Sequence, residues 1–250
     1  MRAGRCGPFA AATLVVLLLA GCSTPTAADG RSPASEHTVS VSARPSSAGP
    51  SATAPASATV TPTPTAAPTR TEPPVLASDG RPREARLSIP ALGLERLRVR
   101  PYRGTPDDAR GTRIQDGGIA ASPYGAGGTV GVGGIGNYLI TGHRTSSTRP
   151  FARLPGLKKG AKVHLVAGGK RYTYEITATR ITSFRSKRSL ARQSAAVPGR
   201  IGVEPTQAMI TLSTCRTPED HAEGNFWSDR FDNPEHRIDK IGVLVRIDAV

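Results

Sequence analysis

Cysteine is scarce in this 250-residue chain: there are three, and only Cys215 lies beyond position 22. No disulfide can therefore staple the C-terminal part of the chain. Aromatic residues make up only 4% of the whole, with a single Trp, and Phe9 is the sole aromatic before position 80. That stretch cannot build a core of its own. Acidic residues are also few, 19 against 33 Lys and Arg, which leaves a formal charge of +14. No apolar run approaches the ~20 residues that span a bilayer comfortably. The glycines of residues 117–136 do not follow the strand–GxGxxG–helix order of a phosphate-binding turn. No DNA- or RNA-binding motif accompanies the positive charge, so the charge points to contact with an anionic membrane or wall polymer and not to nucleic acid.

What is present falls into three segments. Arg2 and Arg5 precede the apolar run Phe9–Ala20, which ends in Leu19-Ala20-Gly21-Cys22. A positive start, a dozen apolar residues and small residues before a cysteine describe an export signal, residues 1–21. The last four residues resemble a bacterial lipobox, in which Cys22 is cut free and acylated. The alternative is an uncleaved anchor helix with an incidental cysteine. Either places the rest of the chain at the outer face of the cytoplasmic membrane. Residues 22–80 are rich in Pro, Ala, Ser and Thr and read as a disordered tether. Residues 81–250 carry a net +13 and have the composition of one ordinary folded domain.

Within that domain, the signals are those of short strands. Arg86–Pro90 is a strand stopped by proline. Leu94–Val99 alternates, with Leu94, Arg96 and Arg98 opposed to Glu95, Leu97 and Val99. Residues 102–136 read as Gly-rich loops. Asn137–Thr141 is a strand leading into Gly142-His143-Arg144, and Pro150–Leu154 a single helical turn opened by Pro150. Ala161–Val166 and Lys170–Thr179 form a hairpin around Gly168-Gly169. Residues 185–206 are basic and then Pro-containing, without a clear pattern. Ala208–Thr214 is a strand, 217–236 a polar loop with some aromatics, and Ile238–Ile247 a closing strand with Ile241, Val243, Val245 and Ile247 on one face. With no long amphipathic helix, the class is all-β, a barrel or a sandwich.

Cys215 ends the strand Met209–Thr214. A lone thiol in an exported protein is a liability unless it is used, which favours a nucleophile over a buried apolar filler. A nucleophilic thiol needs a proton partner and a donor for an oxyanion. The available histidines are His143, His164, His221 and His236. His164 lies between Val163 and Leu165 and faces solvent as a strand residue. His143 follows a strand directly, after a glycine, and is the modest preference. The arginines to weigh are Arg144, Arg216, Arg230 and Arg237. Strand alternation turns Arg216 away from its neighbour Cys215. Arg237 reaches the thiol if its strand pairs beside the cysteine strand. A zinc site from Cys215, His221 and His236 is disfavoured by loose spacing and the lack of a second cysteine.

These residues resemble a family. Thr211-Leu212-Ser213-Thr214-Cys215 is similar to the sortase TLxTC motif, and Gly136–Arg144 to its histidine motif. Pro150–Leu154 with Leu157 and Gly160, and Leu87–Pro90, resemble the flanking pieces in the same order, so the similarity covers about residues 86–250. It implies a closed eight-stranded β-barrel and a cysteine transpeptidase, with Cys215 as nucleophile, His143 as proton carrier and Arg237 as oxyanion donor. The substrates implied are secreted proteins with a C-terminal LPxTG-like sorting signal, and the acceptor is a peptidoglycan-precursor or pilin amine. No cofactor and no metal are called for. The detail looks closest to the actinobacterial class E group, which implies an LAxTG-like signal. Two features depart from the family. Cys215 and Arg237 stand 22 positions apart, a long gap that makes Arg230 a rival. A lipobox also replaces the usual N-terminal helix. The competing readings are a plain cysteine peptidase and a non-catalytic wall-binding lipoprotein. A wall-linking L,D-transpeptidase is set aside because its Ser-His-Gly-Cys type motif is absent.

Overall fold

Eight strands close into one barrel in the computed structural model, which describes residues 76–125, 127 and 129–250. The export signal, Cys22 and most of the tether lie outside the described residues. Among the described residues no helix is long and apolar enough to cross a membrane. In chain order the elements are β1 (Ala85–Ile89), β2 (Leu94–Arg103), α1 (Ala109–Asp116), β3 (Ala120–Tyr124), β4 (Gly136–Thr141), β5 (Lys162–Ala167), β6 (Lys170–Ser183), α2 (Lys187–Ser194), β7 (Ala208–Cys215), α3 (Thr217–Ala222) and β8 (His236–Ala249). Around the barrel the order is β1-β2-β3-β4-β7-β8-β6-β5, with β5 pairing back onto β1. Two neighbours are parallel, β2 with β3 and β4 with β7. A closed barrel leaves no open sheet edge, which is how an all-β chain avoids pairing with another copy of itself.

The interior is filled from alternate positions of the strands. Leu87 and Ile89 of β1, Tyr138 and Ile140 of β4, Leu165 of β5, Tyr174 and Ile176 of β6, and Ile210 and Leu212 of β7 all reach it. Each such side chain stabilises the fold by roughly 1.5–3 kcal/mol when fully buried. Phe151 and Leu154 close one end. The β5–β6 hairpin turns at Gly168-Gly169, with φ of 54° and 70°, the left-handed pair that a two-residue turn requires.

Several expectations need correction, and bulges account for two. In β2, Arg96 has φ 50° and the pairing with β1 shifts between Leu87 and Ile89. The skipped residue puts Leu94 against the core together with Leu97, where strict alternation opposes them. In β8, Tyr174 pairs with Leu244 while Thr173 pairs with Arg246, so Val245 is skipped. Leu244 and Ile247 then face the core and Val245 is exposed, so Ile241, Val243, Val245 and Ile247 do not share a face.

The remaining corrections concern elements with weak patterns. The region 102–136 is not all loop: it holds the end of β2, α1 and β3. Helix α1 buries only Gly111 and Gln115, so it has no apolar stripe. Its signal is a cap, the Asp108 carboxylate accepting from the N–H of Arg110 and of Gly111, both at 2.9 Å. Residues 185–206 contain α2, capped by Ser186. The 217–236 loop contains α3, and β8 begins at His236. The turn expected at Pro150–Leu154 is present, with Ala152 N–H on the Arg149 carbonyl and Leu154 N–H on the Phe151 carbonyl, both 3.0 Å, and it runs on into a further turn over Leu154–Gly156.

Helix α2 covers the outer face of β4, β7 and β8. The Gln193 side chain donates to Ser213 Oγ (3.0 Å) and Asp239 Oδ1 (2.9 Å), and Asn137 Nδ2 donates to the carbonyls of Gln193 (2.8 Å) and Ala195 (3.2 Å). That sheltered outer face, not the core, carries Cys215 and its strand partner Arg237.

The β6–β8 seam offers a test. A Cβ on Gly242 would stand 2.7 Å from the Glu175 carbonyl oxygen, backbone that cannot swing aside. Gly242→Ala is expected to lower stability by about 1–3 kcal/mol in urea unfolding. An unchanged midpoint would show that the seam can open without cost.

Candidate active site

Cys215 is the last residue of β7, and its cross-strand partner in β8 is Arg237. Residues directly opposite in an antiparallel pair share a face. The register alone therefore brings thiol and guanidinium together, and Arg237 Nη1 donates to Cys215 Sγ. Arg237 is only 2% exposed. Its Nη2 bonds Asn233 Oδ1 at 2.6 Å and Asp107 Oδ2 at 2.9 Å, and its guanidinium lies over the Phe184 ring at 4.5 Å. Burial opposes its charge. Asp107 and Cys215 more than offset that, and its proton is held more tightly than usual.

His143 arrives from the other neighbour of β7. Gly142 N–H donates to the Ser213 carbonyl (3.2 Å) and Thr214 Oγ1 donates to the Gly142 carbonyl (2.7 Å), so the ends of β4 and β7 are tied. A side chain at position 142 would run into the Phe151 ring at 2.8 Å, so a glycine is needed before the histidine. His143 Nε2 lies 2.9 Å from Asp116 Oδ1 at the end of α1, and Cys215 acts on the same imidazole. Cys215 raises the ring's affinity for a proton, burial opposes this, and Asp116 adds to the rise. The net result is an imidazole that titrates above the ordinary 6.5.

The other candidates make no hydrogen bond to the thiol. Arg230 lies over the Phe231 ring at 4.7 Å. Arg216 points away from the thiol and pairs with Asp220 (2.8 Å) and Glu223 (2.5 Å). Arg144 approaches the Cys215 carbonyl with Nη1 (3.3 Å) and forks onto Glu219. His164 Nδ1 meets Thr173 Oγ1 at 3.1 Å, His221 packs on Phe226, and His236 Nδ1 lies 2.9 Å from Asp220 Oδ1. None of these three is bonded to the thiol. Among the described residues no cluster of His, Cys, Asp or Glu is placed to hold a metal ion.

Four contributors escaped the sequence: Asp107, Gln115, Asp116 and Asn233. Only the cap at Asp108 marked their neighbourhood, and a cap says nothing about a residue beside it that reaches across the barrel.

One closed eight-stranded barrel thus gathers a thiol, an imidazole and a guanidinium at one strand end. The family model for the sortase domain matches residues 87–230, more than half of the chain. The chain belongs to the sortase family. Among solved structures it is similar to the SrtA sortase from Actinomyces oris, at 19% identity and a TM-score of 0.51, over 72% of this chain and 89% of that one. Sortase E from Streptomyces avermitilis follows at 24% and 0.48, over 69% and 93%. Sortase E1 from Streptomyces coelicolor is at 18% and 0.49, over 69% and 93%. At these identities the likeness is one of fold. No curated protein matches the chain.

The His143–Asp116 pair sets a pH dependence. A folded-state value above the unfolded one means that the protonated imidazole stabilises the fold. That contribution is complete below about pH 6.5 and is lost as pH rises through the raised value. Asp116→Asn is expected to lower the His143 titration midpoint, read by NMR of the imidazole. No change would mean that solvent at the 60% exposed Asp116 side chain screens the pair fully.

Proposed function

We propose that this sortase is a cysteine transpeptidase with Cys215 as nucleophile, His143 as proton carrier and Arg237 as the donor to the substrate carbonyl. The observation that carries the reading is the thiol bonded by the guanidinium of Arg237, with the ends of β4 and β7 tied so that His143 emerges beside it. The Cys215 thiolate attacks the carbonyl carbon of threonine in a sorting signal of LPxTG or LAxTG type. The carbonyl oxygen takes the negative charge, and the fixed fork of Arg237 donates to it. When the C–N bond breaks, protonated His143 gives its proton to the departing glycine amine. A thioester to Cys215 remains. An amine of a peptidoglycan precursor or a pilin lysine then attacks that thioester, His143 takes the amine proton, and the thiolate leaves. The class E assignment and its LAxTG-like signal rest on the sequence resemblance, as do export, lipid attachment at Cys22 and display at the outer face of the membrane on a 22–80 tether.

The thioacyl intermediate is the test. Incubated with a panel of sorting-signal peptides, the parent is expected to show the thioacyl mass on Cys215. An added acceptor amine should convert hydrolysis product to ligated product. Cys215→Ala should show neither. Arg237→Ala is expected to cost about 100- to 1000-fold in turnover, the scale of a lost oxyanion donor, and Arg230→Ala only a few-fold. Processing by Cys215→Ala would end the catalytic reading, and acceptor-independent products would make the protein a hydrolase.

A further inference from the structure

A guanidinium as deeply buried as that of Arg237 is strongly destabilising unless its charge is compensated. Cys215 can do this only as a thiolate. The compensating anion is Asp107, which lies in the turn between β2 and α1 and is 5% exposed. Its Oδ2 stands 2.9 Å from Arg237 Nη2, and its Oδ1 accepts from Gln115 Nε2 at 2.6 Å. Gln115 also reaches Thr141 Oγ1 at 3.1 Å, so the carboxylate is referenced to the end of β4, next to His143. The Asp107 backbone has φ 56°, a left-handed conformation that disfavours residues other than glycine by roughly 1 kcal/mol or more. Its carbonyl accepts from Asn233 Nδ2 at 3.2 Å, while Asn233 Oδ1 accepts from Arg237 Nη2. Two loops far apart in sequence are thus cross-bonded around one guanidinium. Both partners act on Nη2, leaving Nη1 on the thiol and Nε without a partner among the described residues.

We propose that Asp107 is a positioning residue for Arg237: it fixes the guanidinium fork at the Cys215 thiol and balances its charge, so that the arginine neither leaves the site nor holds the thiolate in an unreactive ion pair. The groups that face the thiol are His143 from the end of β4, Arg144 at the Cys215 carbonyl, and Arg237 from β8. Behind them stand the acids Asp116 on His143, Glu219 on Arg144, and Asp107 and Asp239 near Arg237. Of these acids only Asp107 is ion-paired to Arg237 itself. Asp239 is taken up by Thr182 and Gln193.

The turnover arm of the test rests on the transpeptidase reading; the thiol arm does not. In the full chain, the rate of iodoacetamide alkylation at Cys215 is followed against pH by peptide mass spectrometry. Asp107→Asn keeps the shape and tolerates the left-handed backbone, but removes the charge. Cys215 is then the main anion available to Arg237, and the alkylation profile is expected to move to lower pH. Asp107→Glu, which restores the charge, should move it back toward the parent. In an Arg237→Gln background, Asp107→Asn should leave the profile where Arg237→Gln alone puts it. With a sorting-signal peptide, Asp107→Asn is expected to lower kcat at least about tenfold with a smaller change in KM, as for a misplaced catalytic group. A merely structural role would lower Tm and leave the alkylation profile unmoved, which would overturn the proposal. A shift of equal size in the Arg237→Gln background would also overturn it, because Asp107 would then act on the thiol directly. If the parent processes no peptide while the alkylation shifts appear as stated, the transpeptidase reading fails and the positioning role stands.

Discussion

The pairing of β7 with β4 on one side and β8 on the other is the constraint on which this site depends. The β4 ladder is parallel and the β8 ladder antiparallel. The parallel ladder ends both strands at the same end of the barrel, so that Gly142-His143 emerges beside Thr214-Cys215. The antiparallel ladder starts β8 where β7 stops, so that Arg237 stands opposite Cys215. A slip of one residue in either ladder would turn the affected side chain to the other face. The apolar pattern opposes such a slip, because Ile210 and Leu212 would leave the core in the same movement. The geometry of the thiol is therefore enforced by the hydrophobic interior, although the thiol faces away from it.

That arrangement puts charge on a sheltered face, and the fold answers with polar networks. Arg237 is met by Asp107 and Asn233, and Asp107 by Gln115. Two positions along β8, the buried Asp239 is held by Thr182 and Gln193, and burial raises its affinity for a proton. Gln193 connects this second network to Ser213, two residues from Cys215, and so to α2. A half-satisfied buried network is less stable than an apolar one. These bonds make the position of α1, α2 and the loop before β8 part of the site, not decoration around it.

Much of this was legible in the sequence and some was not, for physical reasons. The strands that carry Cys215, His143 and Arg237 have strong apolar patterns, because one face of each is core. The resemblance of Thr211–Cys215 and Gly136–Arg144 to sortase motifs then named the family and the barrel. What stayed hidden has no periodic signature. Bulges at Arg96 and Val245 break alternation without announcing themselves. Helices α1 and α2 are short and bury few apolar residues. Asp107, Asp116 and Asn233 reach the site through contacts that cross the chain, which spacing along the sequence cannot reveal. Which of Arg237 and Arg230 stands opposite Cys215 was open for the same reason: it is set by the register of the ladder.

The 22 positions between Cys215 and Arg237 look at first like a weakness, since a long connection makes closure of the pair entropically dearer. The segment does not behave as one long loop. Asp220 of α3 collects Arg216 Nη1 (2.8 Å), His236 N–H (3.1 Å) and His236 Nδ1 (2.9 Å), which staples residues 216 and 236 directly beside Cys215 and Arg237. Arg216 N–H continues the same closure on the His236 carbonyl at 2.9 Å. Farther out, Asp229 accepts from the N–H groups of Phe231 and Asn233 and from the Asn233 side chain, forming a second small turn. The segment is thus two short closures in series. The inner one holds the β7–β8 register, and the outer one delivers Asn233 to the guanidinium. The length of the segment lies where it costs the pairing least, and its outer turn is part of what holds the arginine.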